Sequence, residues 1–410
     1  MNNRLWNRNF TILTLGTFVS ALGSAAAGIA LGILIYLETK SPMILAIFSV
    51  INILPRIVTN FLVGPFIDRH SRVKIIYLID FFYFAFFTVF ALILFQGYFN
   101  VVVFTAVAAG IGVIDTIYQT AYMSLFPEVI TGNNHSKAYS TSSLIWPISA
   151  AIMAPVATFM IDTFTFGVAL LMAFNAVTFL ITASLETTIK VDETLNTSTP
   201  EKWKFVKDLK EGMDYYKRER GILGIALLFM AFSLVYAVSD LLRMPFFVES
   251  GVYTIQHFSW LVSAGAIGRI VGGIIHYRVR IPKDKKYLIA VSVYLTVEVL
   301  GAVTLLSPYI VMIIFSFVIG VLSVTSFNIR MSATQTYIHS SIRGRVNSVF
   351  QLLWSIGGIL GLLAAGAIAE YTTIPYEWII FCAAGISIPT IFLIPIRMRK
   401  DFENIYNVDL

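Results

Sequence analysis

Cysteine is nearly absent: Cys382 stands alone in 410 residues. A single thiol excludes an internal disulfide and any cysteine metal cluster, and its apolar surroundings make packing its expected role. Histidine is almost as scarce. His70, His135, His257, His276 and His339 fall singly along the chain, with no spacing that gathers ligands around a metal. No Gly-x4-Gly-Lys-Ser/Thr stretch cradles a nucleotide phosphate, which disfavours ATP-driven work, and neither an enzyme nor a cofactor is expected. Charge is scarce as well, with 13% of residues charged against 57% hydrophobic. That leaves too little polar surface for a soluble globule.

What the chain has instead is a series of apolar runs of about 20 residues, the length a helix needs to cross a bilayer. We read twelve spans, at 10–36, 43–65, 75–96, 99–123, 138–161, 164–185, 221–247, 258–277, 287–306, 309–334, 345–369 and 376–396. The first is too long for a signal-peptide core. An even number of crossings puts both ends of the chain on one side.

Basic residues identify that side. Of the 29 Lys and Arg, 24 lie in the N-terminal stretch, the loops after even-numbered spans, the central interval and the C-terminal stretch. Lys40 alone lies in the opposite loops, and Arg56, Arg243, Arg269 and Arg330 lie inside spans. By the positive-inside rule both termini are expected to be cytoplasmic. The net charge of +6 is thereby explained by topology, and no nucleic-acid partner is expected.

The one long polar interval, 186–220, divides the chain into bundles at 1–185 and 221–410. It opens on a Ser/Thr/Asn-rich stretch at 187–199 and continues with Trp203, Phe205, Val206, Leu209, Met213 and Tyr216 at helical spacing among charged residues. That pattern predicts an amphipathic helix along the cytoplasmic membrane surface. An internal repeat supports the division: 64–69 (Gly-Pro-Phe-Ile-Asp-Arg) aligns with 273–278 (Gly-Ile-Ile-His-Tyr-Arg), and Tyr139-Ser140 with Asn347-Ser348. The halves read as products of duplication. The expected fold is all-α and integral to the membrane, with twelve helices in two pseudo-symmetric six-helix bundles.

The turn between the second and third spans combines Gly64, Asp68, Arg69, Arg72 and Lys74. Gly64 permits close helix approach, and an anion such as Asp68 is favoured beside a helix N-terminus. Two readings stand side by side: Asp68 latches a neighbouring bundle in one conformation, or it only balances the bases that fix orientation. The pattern Gly-x-x-x-Asp-Arg-x-x-Arg-x-Lys resembles the corresponding loop of major facilitator superfamily transporters, with Ser71 replacing the usual second glycine and Val73 interrupting the basic run. Other stretches are similar to the macrolide-efflux and siderophore-exporter branch of that superfamily. They are Asn9-Phe10, Leu22-Gly23-Ser24, Thr39-Lys40-Ser41-Pro42, Leu54-Pro55, Gln119, Leu125-Phe126-Pro127-Glu128, Asp208-Leu209-Lys210-Glu211-Gly212 and Arg343-Gly344-Arg345. The family's glycine-spaced run ending Gly-Pro in the fifth span is here Ala154-Pro155, with Ala150, Ala151 and Ala157 nearby.

Eight charges fall inside spans: the four arginines with Asp80, Asp115, Asp240 and Glu298. Each costs about 3 kcal/mol at a helix centre unless it finds a partner or water. Depth alone pairs Arg269 with Glu298, and three-residue spacing pairs Asp240 with Arg243. Arg56 has two candidate partners, Asp80 and Asp115. The resemblance implies that the first, fourth, seventh and tenth spans line a central cavity, which puts Asp115, Tyr118, Gln119 and Tyr122 on its wall. A carboxylate in a partly desolvated cavity can exchange a proton, so Asp115 and Asp240 are the coupling candidates. The alternative for Asp115 is a structural pair with Arg56. Asn328 and Arg330 on the tenth span are suited instead to a polar or anionic substrate group. The expected function is proton-coupled export of an amphipathic small molecule by a monomer in the cell membrane. The alternatives are a siderophore, lipid or metabolite carrier and a non-transporting sensor or scaffold.

Overall fold

The computed structural model describes residues 5–132, 134–191, 193, 205–278 and 281–407. In chain order the helices are α1 (Arg8–Thr39), α2 (Pro42–Ile67), α3 (Arg72–Phe95), α4 (Val101–Leu125), α5 (His135–Thr163), α6 (Gly167–Glu186), α7 (Phe205–Arg218), α8 (Arg220–Glu249), α9 (Ile255–Arg278), α10 (Lys286–Val303), α11 (Tyr309–Tyr337), α12 (Ser340–Tyr371), α13 (Tyr376–Ile391) and α14 (Arg399–Tyr406). Among the described residues there are no strands, and all of these helices except α7 and α14 belong to spans long and apolar enough to cross a membrane.

Several helices outrun the apolar stretches that predicted them because polar residues cap them beyond the apolar core. The Asn7 side chain accepts from Phe10 N and starts α1, and Ser71 caps α3 by accepting from Lys74 N; the Asn100 side chain accepts from Val102 N and Val103 N and instead starts α4 two residues inside its expected span. At the far end of α1, Lys40 adopts a left-handed φ of 51° immediately before the short link to α2. Only α7 and α14 are markedly two-faced. The spans are apolar all round, as helices facing both protein and lipid must be.

The chain separates into two compact units, Met1–Lys40 with Ile51–Glu201, and Ser41–Val50 with Lys202–Leu410. In the first, α6 packs on α1 and α3. Gly23 makes the α1–α6 contact possible, since a Cβ there would strike Asn175 and Thr178. Phe10, Leu13, Ile67, Ile76, Tyr122, Leu125 and Phe126 form the buried core at one end of this unit.

In the second unit α9 packs on α11 along a glycine seam. A Cβ on Gly268 would run into Phe317 O, one on Gly272 into Val321 O, and one on Gly320 into Gly265 O. Such backbone-to-backbone contact gains dispersion energy that lipid cannot match. The core at one end of the unit gathers Leu228, Phe229, Tyr294, Ile329, Phe402 and Tyr406, so α14 closes the bundle from outside. The start of α2 is held within this unit too: Ser41 Oγ donates to Glu370 Oε2 at 2.7 Å.

The interval between the bundles carries the two-faced helix expected of it, α7, and part of that helix rests on α12. Part of the apolar face of α7 packs on protein: Tyr216 is buried and its hydroxyl donates to Val346 O at 3.1 Å, and Glu211 pairs with Arg345 at 2.8 Å, whereas Met213 is exposed. Gly212 allows this, because a Cβ there would lie 2.7 Å from Arg345 O. An amphipathic pattern specifies a two-faced helix but not whether lipid or protein covers the apolar face. Trp203 and the side chains of Phe205, Val206 and Tyr277 lie outside what is described.

Overpacking the glycine seam tests this architecture. Gly320→Ala should destabilise the detergent-solubilised protein by about 1–3 kcal/mol, seen as a lower thermal midpoint. Gly273→Ala, whose added Cβ meets nothing within 4 Å, should leave the midpoint unchanged or raise it slightly. Equal midpoints in both variants would show the seam to be looser than the structure has it.

Candidate functional site

The register of α2 against α4 places the first charge pair. Asn52 Nδ2 donates to Ala108 O at 3.0 Å, and a Cβ on Gly112 would collide with Asn52 O. The two backbones therefore touch, and about one turn further along each helix Arg56 Nη2 meets Asp115 Oδ2 at 2.7 Å. Tyr83 of α3 donates its hydroxyl to the other carboxylate oxygen at 2.6 Å. Of Arg56's two candidate partners, the structure selects Asp115.

This pair is open. The side chains of Arg56 and Asp115 are 46% and 33% exposed, and lipid does not solvate a guanidinium at that position in an apolar helix, so this face must meet water or polar matter. Gln119, four residues beyond Asp115 and on the same helical face, is exposed as well. Tyr118 and Tyr122 point elsewhere. Their hydroxyls are shut off from solvent and turn toward Thr17 of α1.

Asp80 lies on the buried side of α3 and faces Glu186. Glu186 was expected in the polar interval that follows the sixth span. It is instead the last residue of α6 and fully buried. Gly16 of α1 lies against the same stretch of α6: a Cβ there would press on Thr182 at 3.1 Å and make ordinary contact with Glu186 Oε1 at 3.7 Å.

The turn after α2 is tied within its own unit by Arg72, whose side chain is buried. Its Nη1 meets Glu128 Oε1 at 2.5 Å and its Nη2 stands 4.0 Å from Asp68 Oδ1. Glu193 accepts from Ser71 Oγ and from Arg72 N, each at 2.5 Å, covering the N-terminus of α3. Arg72 thus acts as a structural clamp, whereas Asp68 and Arg69 remain exposed beside Gly64. In the sequence Glu128 stands out only within a family-like stretch, and neither it nor Glu193 is marked there as a partner of Arg72, although a buried arginine at a helix start calls for such partners.

In the second unit Asp240 of α8 lies in the field of both Arg243, one turn on, and Arg269 of α9. The expected Arg269–Glu298 pair is replaced by this arrangement. Glu298 of α10 instead accepts from Ser387 Oγ of α13 at 2.5 Å. Similar depth was a poor guide here because it ignores the direction in which each helix presents the residue. Arg330 of α11 is held by rings: its guanidinium carbon lies 4.3 Å from the Phe350 centroid, 4.9 Å from Phe229 and 5.5 Å from Phe327, a cation–π setting. Asn328, two residues away, is partly buried.

No group of three or more His, Cys, Asp or Glu suited to a metal occurs among the described residues. The geometry is one of paired and caged charges inside apolar helices, with an open polar face at Arg56 and Asp115 in the first unit. A family model described as Major Facilitator Superfamily matches residues 13–362. The chain belongs to the major facilitator superfamily. It is 24% identical over 378 residues to macrolide efflux protein A of Streptococcus pyogenes, an alignment that covers 89% of this chain and 90% of the relative. Among solved structures it resembles the nucleoside transporter NupG with a TM-score of 0.72 at 12% identity, covering 96% of this chain and 100% of that one. It also resembles an inward-facing bacterial homologue of the iron transporter ferroportin, with a TM-score of 0.70 at 13% identity over 96% and 98% of the two chains. A D-xylose-proton symporter matches with a TM-score of 0.67 at 12% identity over 94% and 96%. At such identities these structures establish the fold. Membership of the superfamily makes the protein a multi-pass transporter of small molecules.

If Arg56 and Asp115 stabilise each other, Asp115→Asn should lower the thermal midpoint modestly, because the pair is partly solvated. The double variant Arg56→Gln/Asp115→Asn should recover most of the loss. Midpoints measured by thermal unfolding in detergent, beside gel-filtration profiles, test this. A double variant less stable than the single would exclude mutual neutralisation.

Proposed function

We propose that this superfamily member exports an amphipathic small molecule across the cell membrane in exchange for protons, working as a monomer with both termini in the cytoplasm. The observation that carries the reading is the nearly full-length likeness to macrolide efflux protein A. The open Arg56–Asp115 face gives it a chemical basis. A proton arriving on Asp115 cancels the charge that holds Arg56, so the pair loosens when protonated and tightens when the proton leaves. Such a pair changes state with proton load, as exchange requires. Asp240 between two arginines is the corresponding candidate in the second unit. Gln119, exposed beside Asp115, supplies a polar contact for substrate, while Arg330 among its phenylalanines, with Asn328 nearby, suits an aromatic or anionic group. Asp68, exposed at the turn after α2, is the proposed conformational latch, with Gly64 and Arg69 shaping the turn and Arg72 anchoring it.

The test is a substrate screen in proteoliposomes with an imposed pH gradient, starting with macrolides. Substrate should accumulate uphill against the proton flow, and a protonophore should collapse the accumulation. Asp115→Asn should abolish uphill transport while downhill exchange survives, because an amide cannot cycle between charged and neutral forms. Full pH-driven accumulation in a well-folded Asp115→Asn variant would rule out that role. In the double variant Arg56→Gln/Asp115→Asn, uphill transport that returns together with folding would make the pair purely structural.

A further inference from the structure

Asp80 and Glu186 form a cluster that the charge pairing above leaves unused. Both residues are 0% exposed. All four carboxyl oxygens are sealed from solvent, and no donor among the described residues reaches any of them. The two carboxyl groups lie within hydrogen-bonding reach of each other. Two adjacent desolvated carboxylates cannot both stay ionised without a cation.

The surroundings supply no such cation. The elements packed on α3 and α6 are α1, α4 and α5. From α4, Tyr118 faces both acids and Tyr122 faces Glu186; from α1, Thr17 stands beside both tyrosines; from α5, Ser142 and Tyr139 stand beside Tyr122. On α3 itself, Tyr83 feels Asp80 and donates to Asp115. No lysine, arginine or histidine among the described residues interacts with either acid. Tyr122 is 5% exposed, and its hydroxyl, like that of Tyr118, has no hydrogen-bond partner in good geometry. A polar group that costs free energy to bury unpaired is thus turned into the cluster from a third helix.

We infer that Asp80 and Glu186 hold one proton between them, forming a buried protonation site in the first unit separate from Asp115. One acid carries the proton and donates it to the carboxylate of the other, which leaves the pair with a single negative charge. A metal ion is the poorer occupant, because two carboxyls and phenol hydroxyls offer few of the six to eight oxygens that a hard cation takes. The existence of the site does not depend on the export reading; its use in transport rests on that reading.

The experiment is infrared difference spectroscopy on the full-length protein in lipid nanodiscs, titrated with protons alone. The wild type should show the carbonyl stretch of a protonated carboxyl at neutral pH. Asp80→Asn/Glu186→Gln should lose that band, while Glu298→Gln should keep it. Should the double variant not fold, Glu186→Gln alone must shift or remove the band, since it changes the partner in the shared hydrogen bond. A spectrum unchanged in these variants overturns the inference. So does a thermal midpoint that rises with sodium at constant ionic strength in the wild type but not in the double variant, which would put a metal ion in place of the proton. A pair-dependent band without pH-driven transport leaves the site standing and removes the export reading. Proton-driven transport without the band does the reverse.

Discussion

Everything in this bundle is arranged around the need to neutralise charge where water is excluded. An isolated ion in the hydrocarbon interior costs several kilocalories per mole, and each intramembrane charge meets that cost differently. Arg56 and Asp115 neutralise each other at 2.7 Å with a phenol closing the second oxygen. Asp240 shares the field of two arginines, Arg330 is surrounded by phenylalanine faces, and Glu298 takes a hydroxyl. These solutions differ in how reversible they are. An ion pair on an open face can be broken by one proton, whereas a cation among rings stays charged.

Close backbone approach makes these arrangements possible. The α2–α4 contact at Asn52 and Gly112 brings Arg56 to Asp115, and Gly23 lets α1 close on α6, the helix that ends at Glu186. Small residues in membrane helices thus set the register that decides which charges meet as well as tightening the packing. The same device clamps α7 onto α12 through Gly212, where the Glu211–Arg345 bond fixes its orientation.

The sequence was informative where length and polarity suffice and silent where rotation about a helix axis decides. Twelve spans could be read because crossing a bilayer imposes a length and excludes charge. Arg56 and Asp115 stood out as intramembrane charges, but choosing Asp115 over Asp80 required the α2–α4 register. Glu186 was assigned to the polar interval because a carboxylate at the end of an apolar run reads as the start of a loop. It is buried because α1 and α3 both pack on α6. Arg269 matched Glu298 in depth and failed in direction. Tyr118 and Tyr122 share the α4 face of Asp115 and Gln119 by helical spacing, yet their hydroxyls are shut off from solvent, which spacing alone does not reveal.

The two units also differ electrically. Among the described residues, the acids of the Asp80–Glu186 pair in the first have no base, and Arg330 in the second has no acid. With one proton shared by that pair, as inferred above, the two units hold unbalanced charge of opposite sign in their apolar interiors. A membrane potential pushes such charges in opposite directions, with about 2.3 kcal/mol available for each full charge carried through 100 mV. Displacing either charge along the membrane normal would therefore couple that unit to the voltage, with opposite sign in the two units.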